Sequence, residues 1–524
     1  MARWKRTSKH AVAGGALLSL ALGLAALPLD ATVTPVKTDA GLVSGAPGTG
    51  GVVAYLGIPY AAPPVGSLRW RPPQPAAHWD GVRAADRFGT SCMQAQPGSR
   101  LPWTEEFMTQ GPIGEDCLSL NVWTAATSAS ARLPVMVWIY GGGFNEGSSA
   151  VAVYDGAALA RKGVIVVSMN YRVGALGFLA HPELSRESEH HVSGNYGLLD
   201  QIAALQWVRR NIGAFGGDAA RVTIFGQSAG ALSVAGLMQS PLAKGLFARA
   251  IAQSGPGLLA ANALGGTASL ADREAAGVRY AEAKGARSLA ELRSLEPAVF
   301  FAPGGRGSAP LAGGLFKDGW VLPERAPADQ VPLLVGFVAD DLGMGGGGAA
   351  PSAPTVAAWQ SDAQRAYGER ADAFLKLYPV SSDADVAAAR KASGRDRARV
   401  SLDRWSAAQL EASKRIYTYY FDRAIPWPAH PEYGAFHSSE IPYIFETLER
   451  MNRPWEAVDR QLSGTVSSYW TNFARSGDPN RAGLPVWPAY DSSSLTTMEL
   501  GEKVGAMRDA EPARAEFFVK VLRR

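Results

Sequence analysis

The sequence predicts an α/β protein built on a large, mostly parallel sheet, and two observations carry that expectation. From Leu133 to Ala260, short apolar runs ("LPVMVWIY", "GVIVVSMNY", "RVTIFG", "ARAIAQSG") alternate with longer stretches of helical periodicity such as "GLLDQIAALQWVRRNIGAF". The runs are also nearly continuous in apolar residues. Strands covered by helices on both faces read this way, whereas a strand with one wet face alternates. In sheets of this kind, functional loops lie beyond the carboxyl ends of the strands. A chain of 524 residues, 47% hydrophobic and 19% charged, can bury a large core and does not have the composition of a disordered protein.

The elements on either side extend this reading. The Pro-rich stretch "GIPYAAPPVGSLRWRPPQPAAHWDG" looks like a linker, but its interleaved Tyr60, Trp70 and Trp79 are apolar anchors that linkers lack, so it is expected to be ordered and packed on the body. After the core, Ala271 to Trp320 and Thr355 to Gln409 are rich in Ala, Arg and Glu and are expected to be helical. Between them, "VPLLVGFVADD" reads as one more strand, followed by the glycine tract "LGMGGGGAAPSAP", which reads as a loop. The organisation expected is a leader over residues 1–31 and a single catalytic domain over 32–524, with helical cap insertions at about 260–330 and 342–410.

The leader is read from Arg3, Lys5, Arg6 and Lys9, which precede the apolar run from Ala11 to Leu29 and the small residues Ala31 and Thr32. That is the layout of a secretory signal; the alternative, an uncleaved anchor, is disfavoured by the run's many Ala and Gly residues. The expected location is therefore secreted or periplasmic, with no stable membrane insertion after cleavage. The formal charge of +4 comes largely from those four cations, so composition argues for neither nucleic acid nor an anionic membrane as partner. Cys92 and Cys117 are the chain's two cysteines. In an oxidising compartment they are expected to pair, worth about 3 kcal/mol in the chain-entropy account, the alternative being two separate buried thiols. Their spacing gives no support to a zinc site, and no metal or organic cofactor is expected.

The stretch "VTIFGQSAGAL" passes from a strand into small residues with Ser228 between Gly226 and Gly230. This fits the G-x-S-x-G nucleophile elbow, a turn so tight that side chains two positions either side of the serine would collide. A helix following directly would aim its amino end at the hydroxyl and leave the Ala229 N–H free to donate. A serine needs a base, and for this chain order the histidine follows the elbow with an acid between. Of seven histidines, His10 lies in the leader and His78, His181, His190 and His191 precede the serine. His430 sits between prolines in "WPAHPEYG". His437, in "GAFHSSEIPYIF" among aromatic residues, is the candidate base. The acid should stand just past a strand, where "VPLLVGFVADD" ends in Asp340 and Asp341; either could hold the imidazole, and strand-end carboxylates are also commonly mere caps. Donors for an oxyanion are supplied by "VMVWIYGGGFNEGSS", where a strand runs into Gly141, Gly142 and Gly143 and bare amides can approach a substrate. No Lys-Ser/Thr follows the glycines, which counts against a phosphate loop.

With these parts in place, the chain resembles the type-B carboxylesterases, the cholinesterase-like branch of the α/β-hydrolases. The resemblance runs from about Gly41 to about Pro488 and includes "YLGIPYAAPPVGSLRWRPPQP", "EDCLSLNVW", "YGGGF", "NYRVGALGFL" and "FGGDAARVTIFGQSAG". It implies Ser228 as nucleophile, His437 as base and the N–H groups of Gly142, Gly143 and Ala229 as oxyanion hole. It also implies a Cys92–Cys117 disulfide and buried ion pairs Arg69–Glu115 and Arg172–Asp200. There are two departures. Gln227 stands where the family usually has Glu, expected to remove a charge beneath the elbow without touching the triad. In place of the family's D-E-G, this chain reads Asp340, Asp341, Leu342, Gly343. Ungapped alignment gives the acid's place to Asp341, one methylene shorter than Glu, with Asp340 as the alternative.

The activity this implies is hydrolysis of small-molecule carboxylic esters through an acyl-enzyme. A lipase or a hydrolase of bulky, polymeric or phenolic esters is the alternative, and a catalytically inactive adhesion protein is a further one. Phe144, next to the oxyanion glycines, is expected to shape the acyl side and Trp103 to line the entrance, although both also fit ordinary packing. The sequence fixes neither the natural substrate nor the oligomeric state.

Overall fold

A computed structural model describes residues 34–95, 98–255, 268–301, 314–324, 331–341, 354–410, 415–492, 496–508 and 511–522. The leader expected over 1–31 and the glycine tract over 342–353 lie outside these. The described residues form a thirteen-stranded sheet. Its centre is parallel, in the spatial order Ile165–Met169, Leu133–Ile139, Gly217–Gln227, Arg249–Gln253, Leu333–Val338, Ile416–Phe421 and Thr496–Leu500. Antiparallel strands flank it: Ser119–Thr124 beside Ile165–Met169 on one side, and Val504–Arg508 on the other. The chain lays down Leu133–Ile139 first, steps to one side for Ile165–Met169, then returns to the other side for Gly217–Gln227. The crevice at such a reversal is where open α/β sheets place their ligands.

Every residue of Ile165–Met169, Leu333–Val338 and Ile416–Phe421 is buried, including Ser168 and Thr418, as their largely apolar character leads one to expect. Helix Tyr196–Asn211 covers the sheet, and Arg172 pairs with its buried Asp200 at 2.7 Å. Arg69 grips Glu115 with two nitrogens, at 2.7 and 2.6 Å. Both ion pairs implied by the resemblance are thus formed, and Cys92 is bonded to Cys117. The Pro-rich stretch is ordered, with Tyr60 and Trp70 buried; the Tyr60 hydroxyl donates to the Asn170 carbonyl and the Trp70 indole to that of Ala175.

Between Arg249–Gln253 and Leu333–Val338 come the helices Leu270–Ala283 and Leu289–Ser294. The helical pattern expected as far as Trp320 stops there. A 3₁₀ turn that opens on Pro297 follows over Pro297–Phe300, and the described residues 314–320 contain no helix. Between Leu333–Val338 and Ile416–Phe421 lie Val356–Tyr367, Ala371–Leu377 and Asp383–Leu410. There Trp359, Phe374 and Tyr378 make a satellite core with Phe517 and Phe518 of the helix Pro512–Val521. No described helix is long and apolar enough to cross a membrane.

Candidate active site

The strand Gly217–Gln227 ends against its neighbours in register, Gly226 beside Ile139 and Gln227 beside Gln253. Ser228 then turns the chain at φ 58°, ψ −123°, and the helix Ala229–Gln239 begins at once. A non-glycine residue in that region is strained and persists only where its surroundings enforce it. Here they do. A Cβ at Gly230 would lie 2.0 Å from the Ile139 carbonyl oxygen, and one at Gly226 2.6 Å from the same atom. The Ser228 N–H is tied to the Gln253 carbonyl at 2.9 Å.

Opposite the elbow, Gly142 and Gly143 adopt φ 111° and 62°, and a Cβ at Gly142 would meet the Glu146 carbonyl oxygen at 2.2 Å. The Gly142 carbonyl faces inward, accepting from the N–H groups of Asn145 and Glu146. Among the described residues, the N–H groups of Gly142, Gly143 and Ala229 donate to no acceptor within the fold. Phe144 is buried, its ring 5.1 Å from that of Phe178 and its carbonyl held by the Gly174 N–H.

The strand Leu333–Val338 delivers the two carboxylates to opposite tasks. Asp341 is hydrogen-bonded to His437 through Nδ1 and Oδ1. Its other oxygen accepts from the Ser254 hydroxyl at 2.6 Å and from the Val338 N–H at 3.2 Å. Asp340, the alternative, does not reach the imidazole. It accepts from the Ala435 N–H at 2.8 Å, pairs with Arg395 at 2.9 Å and Lys391 at 3.4 Å, and donates its own N–H to the Ala435 carbonyl. Past Val338 the chain turns, the Asp341 N–H bonding back to the Val338 carbonyl at 3.3 Å, and the two adjacent side chains go to different partners, one to the histidine and the other to the cations of helix Asp383–Leu410.

Because a carboxylate only accepts, Nδ1 of His437 carries the proton and Nε2 is left as an acceptor. Burial lowers the affinity of His437 for a second proton, but the Asp341 charge and hydrogen bond outweigh it and Glu440 adds to them, so the net shift is upward. At Nε2 the structure corrects an expectation. Gln227 does touch the triad candidates: its amide nitrogen lies 3.1 Å from Nε2, while its Oε1 accepts from the Ser438 hydroxyl at 3.2 Å. Ser228 Oγ makes no hydrogen bond among the described residues, and its residue is half-buried at the cleft. Trp103 stands edge-on to the imidazole at 6.4 Å between centroids and donates to the His437 carbonyl at 3.1 Å, so it supports the histidine loop directly. His430 lies apart, on a turn beside Glu432.

Sequence reasoning missed Ser254, Glu440 and the task of Asp340. Ser254 was legible in part: it follows a strand in register with the elbow strand, so it emerges level with Ser228. Among the described residues no three His, Cys, Asp or Glu side chains gather as a metal site would require.

Comparison with known proteins agrees with this layout. Residues 32–344 and 395–518 match the Carboxylesterase family. The chain is 38% identical to the fumonisin B1 esterase of Sphingopyxis macrogoltabida, over 93% of this chain and 90% of that protein. It is 34% identical to the para-nitrobenzyl esterase of Bacillus subtilis, over 92% and 97%. It is 32% identical to the human cocaine esterase, over 99% and 96%. A strand order that reverses beside the elbow strand and a match spanning most of the chain agree: the chain belongs to the carboxylesterase family and is a carboxylic ester hydrolase.

Proposed function

We propose that the protein is an exported serine carboxylesterase in which Ser228, His437 and Asp341 form the catalytic triad. The observation that carries this reading is the Asp341–His437 hydrogen bond set beside a strained, glycine-flanked Ser228. Asp341 fixes the tautomer that leaves Nε2 able to accept. On substrate entry Nε2 exchanges its Gln227 partner for the Ser228 hydroxyl, a contact that commonly tightens only in the loaded enzyme. His437 takes the proton as Ser228 attacks the ester carbonyl, and the imidazolium is stabilised by Asp341. The unpartnered amides of Gly142, Gly143 and Ala229 receive the oxyanion, each such donor typically being worth about 10²–10³ in rate. His437 then protonates the leaving alcohol and later activates water to free the acid.

Export is supported by the basic, then apolar amino end and by a disulfide that suits an oxidising compartment. The substrates are small carboxylic esters. Phe144, its ring fixed against Phe178, borders the acyl side, and Trp103 the approach to His437. The named relatives act on fumonisin B1, para-nitrobenzyl esters and cocaine, which makes esters of bulky alcohols the first class to assay beside short p-nitrophenyl esters. Ser228→Ala should lower kcat by roughly 10⁴–10⁶ and abolish labelling by a fluorophosphonate probe while the protein stays folded. Full hydrolysis by that variant would refute the triad.

A further inference from the structure

Three residues beyond His437, Glu440 enters the short helix Ile441–Ile444 with only 1% of its surface exposed. Among the described residues neither carboxyl oxygen completes a side-chain hydrogen bond and no arginine or lysine pairs with it. The titratable groups that face it are Asp341 at the end of its strand, His437 on its own loop, Tyr154 in the 3₁₀ turn Ala152–Tyr154 and Tyr419 in the strand Ile416–Phe421. The Gln253 side chain approaches, yet its amide nitrogen also completes no hydrogen bond. An ionised carboxylate so deeply buried and facing the Asp341 charge is penalised, and neither the Gln253 side chain nor His437 offsets the whole of that cost, so the neutral acid is favoured relative to an exposed carboxyl. Burial, and then the negative charge of Asp341, push its pKa to about 7.

We propose that Glu440 is a positioning residue that sets the charge beneath the Asp341–His437 pair, its carboxyl passing from neutral acid to carboxylate over the same pH range in which His437 gives up its added proton. This rests on the reading of His437 given above. With Glu440 neutral, Asp341 is the single negative charge acting on the imidazole from below. When Glu440 ionises, a second negative charge strengthens the hold of His437 on its added proton, and a protonated imidazole cannot accept from Ser228. The two groups titrate close together and are coupled, so the acidic limb of the rate profile belongs to the pair and is shallower than a single ionisation.

Glu440→Gln keeps the shape of the neutral acid and cannot ionise. Its acidic limb of kcat/KM on a soluble p-nitrophenyl ester should steepen to one proton and move to lower pH by about half a unit, roughly threefold in relative rate on the limb. The low-field proton resonance of the His437 Nδ1–H should shift its titration in the same direction. That resonance needs no turnover, so it separates failure of this inference from failure of the esterase reading. In the unmutated protein, the infrared band of a protonated carboxylic acid should disappear as pH rises through neutrality and be missing in the variant. Superimposable kinetic and resonance titrations in the two proteins, or no such infrared difference, would overturn the proposal.

Discussion

The two sides of the candidate site are built on different principles. Ser228 is held largely by its immediate neighbours: two glycines, a strand end and a helix start within a few residues, with the Ile139 carbonyl leaving no room for a Cβ at either glycine. His437 is held from afar. Asp341 and Ser254 arrive from two different strands, Trp103 from a loop 334 residues earlier, and Asp340 anchors the histidine loop through Ala435. The proposed nucleophile, fixed by close backbone sterics, should tolerate almost no change near it, whereas the proposed base, fixed by many long-range contacts, should be adjustable in steps.

That contrast can be broken first at the elbow. Gly230→Ala puts a Cβ 2.0 Å from a backbone oxygen that cannot move without its strand, so it should lower stability by about 3 kcal/mol or more and abolish esterase activity, read by thermal unfolding and by turnover. A normal melting temperature with normal activity would show that the elbow is looser than described. A smaller effect is expected on the histidine side. Gln227→Glu places a carboxylate at His437 Nε2, favouring the imidazolium. The acidic limb of kcat/KM should then move to higher pH by about one unit, with the rate above the limb changed little. The sign is diagnostic: a neutral base is required, so anything that raises the imidazole pKa costs activity at low pH. A profile that stays in place would mean that the Gln227 contact gives way in the working enzyme.

The same contrast explains what was legible in the sequence. The sheet, the elbow and the glycine loop were readable because their chemistry is local: apolar runs, a pentapeptide, consecutive glycines. His437 emerged by elimination among the histidines downstream, and the acid only as a pair of adjacent aspartates. Nothing in "ADD" says which side chain turns to the imidazole, because that depends on Arg395 and Lys391, which lie on a helix more than fifty residues later. Gln227 was misjudged for a related reason. Its position beneath the elbow is set by the turn, but the reach of its amide to Nε2 depends on where a loop 210 residues away delivers the ring. Helix was over-read beyond Ser294, where Ala and Arg favoured it but Pro297 and the glycines that follow did not.

The division of labour between Asp340 and Asp341 is the point on which the whole site turns, and a side-by-side measurement of Asp341→Asn and Asp340→Asn tests it. Asp341→Asn leaves one oxygen, which the Ser254 hydroxyl and the Val338 N–H claim, and turns an NH2 toward Nδ1, so the His437 tautomer is no longer held and kcat should fall by about 10⁴ with little loss of stability. Asp340→Asn keeps an oxygen for the Ala435 N–H and loses the charge facing Arg395 and Lys391, so it should cost stability of about 1–3 kcal/mol and lower kcat only about tenfold. If Asp340→Asn proves the more damaging to kcat, or if the two variants are equally active, Asp341 is not the acid of this enzyme.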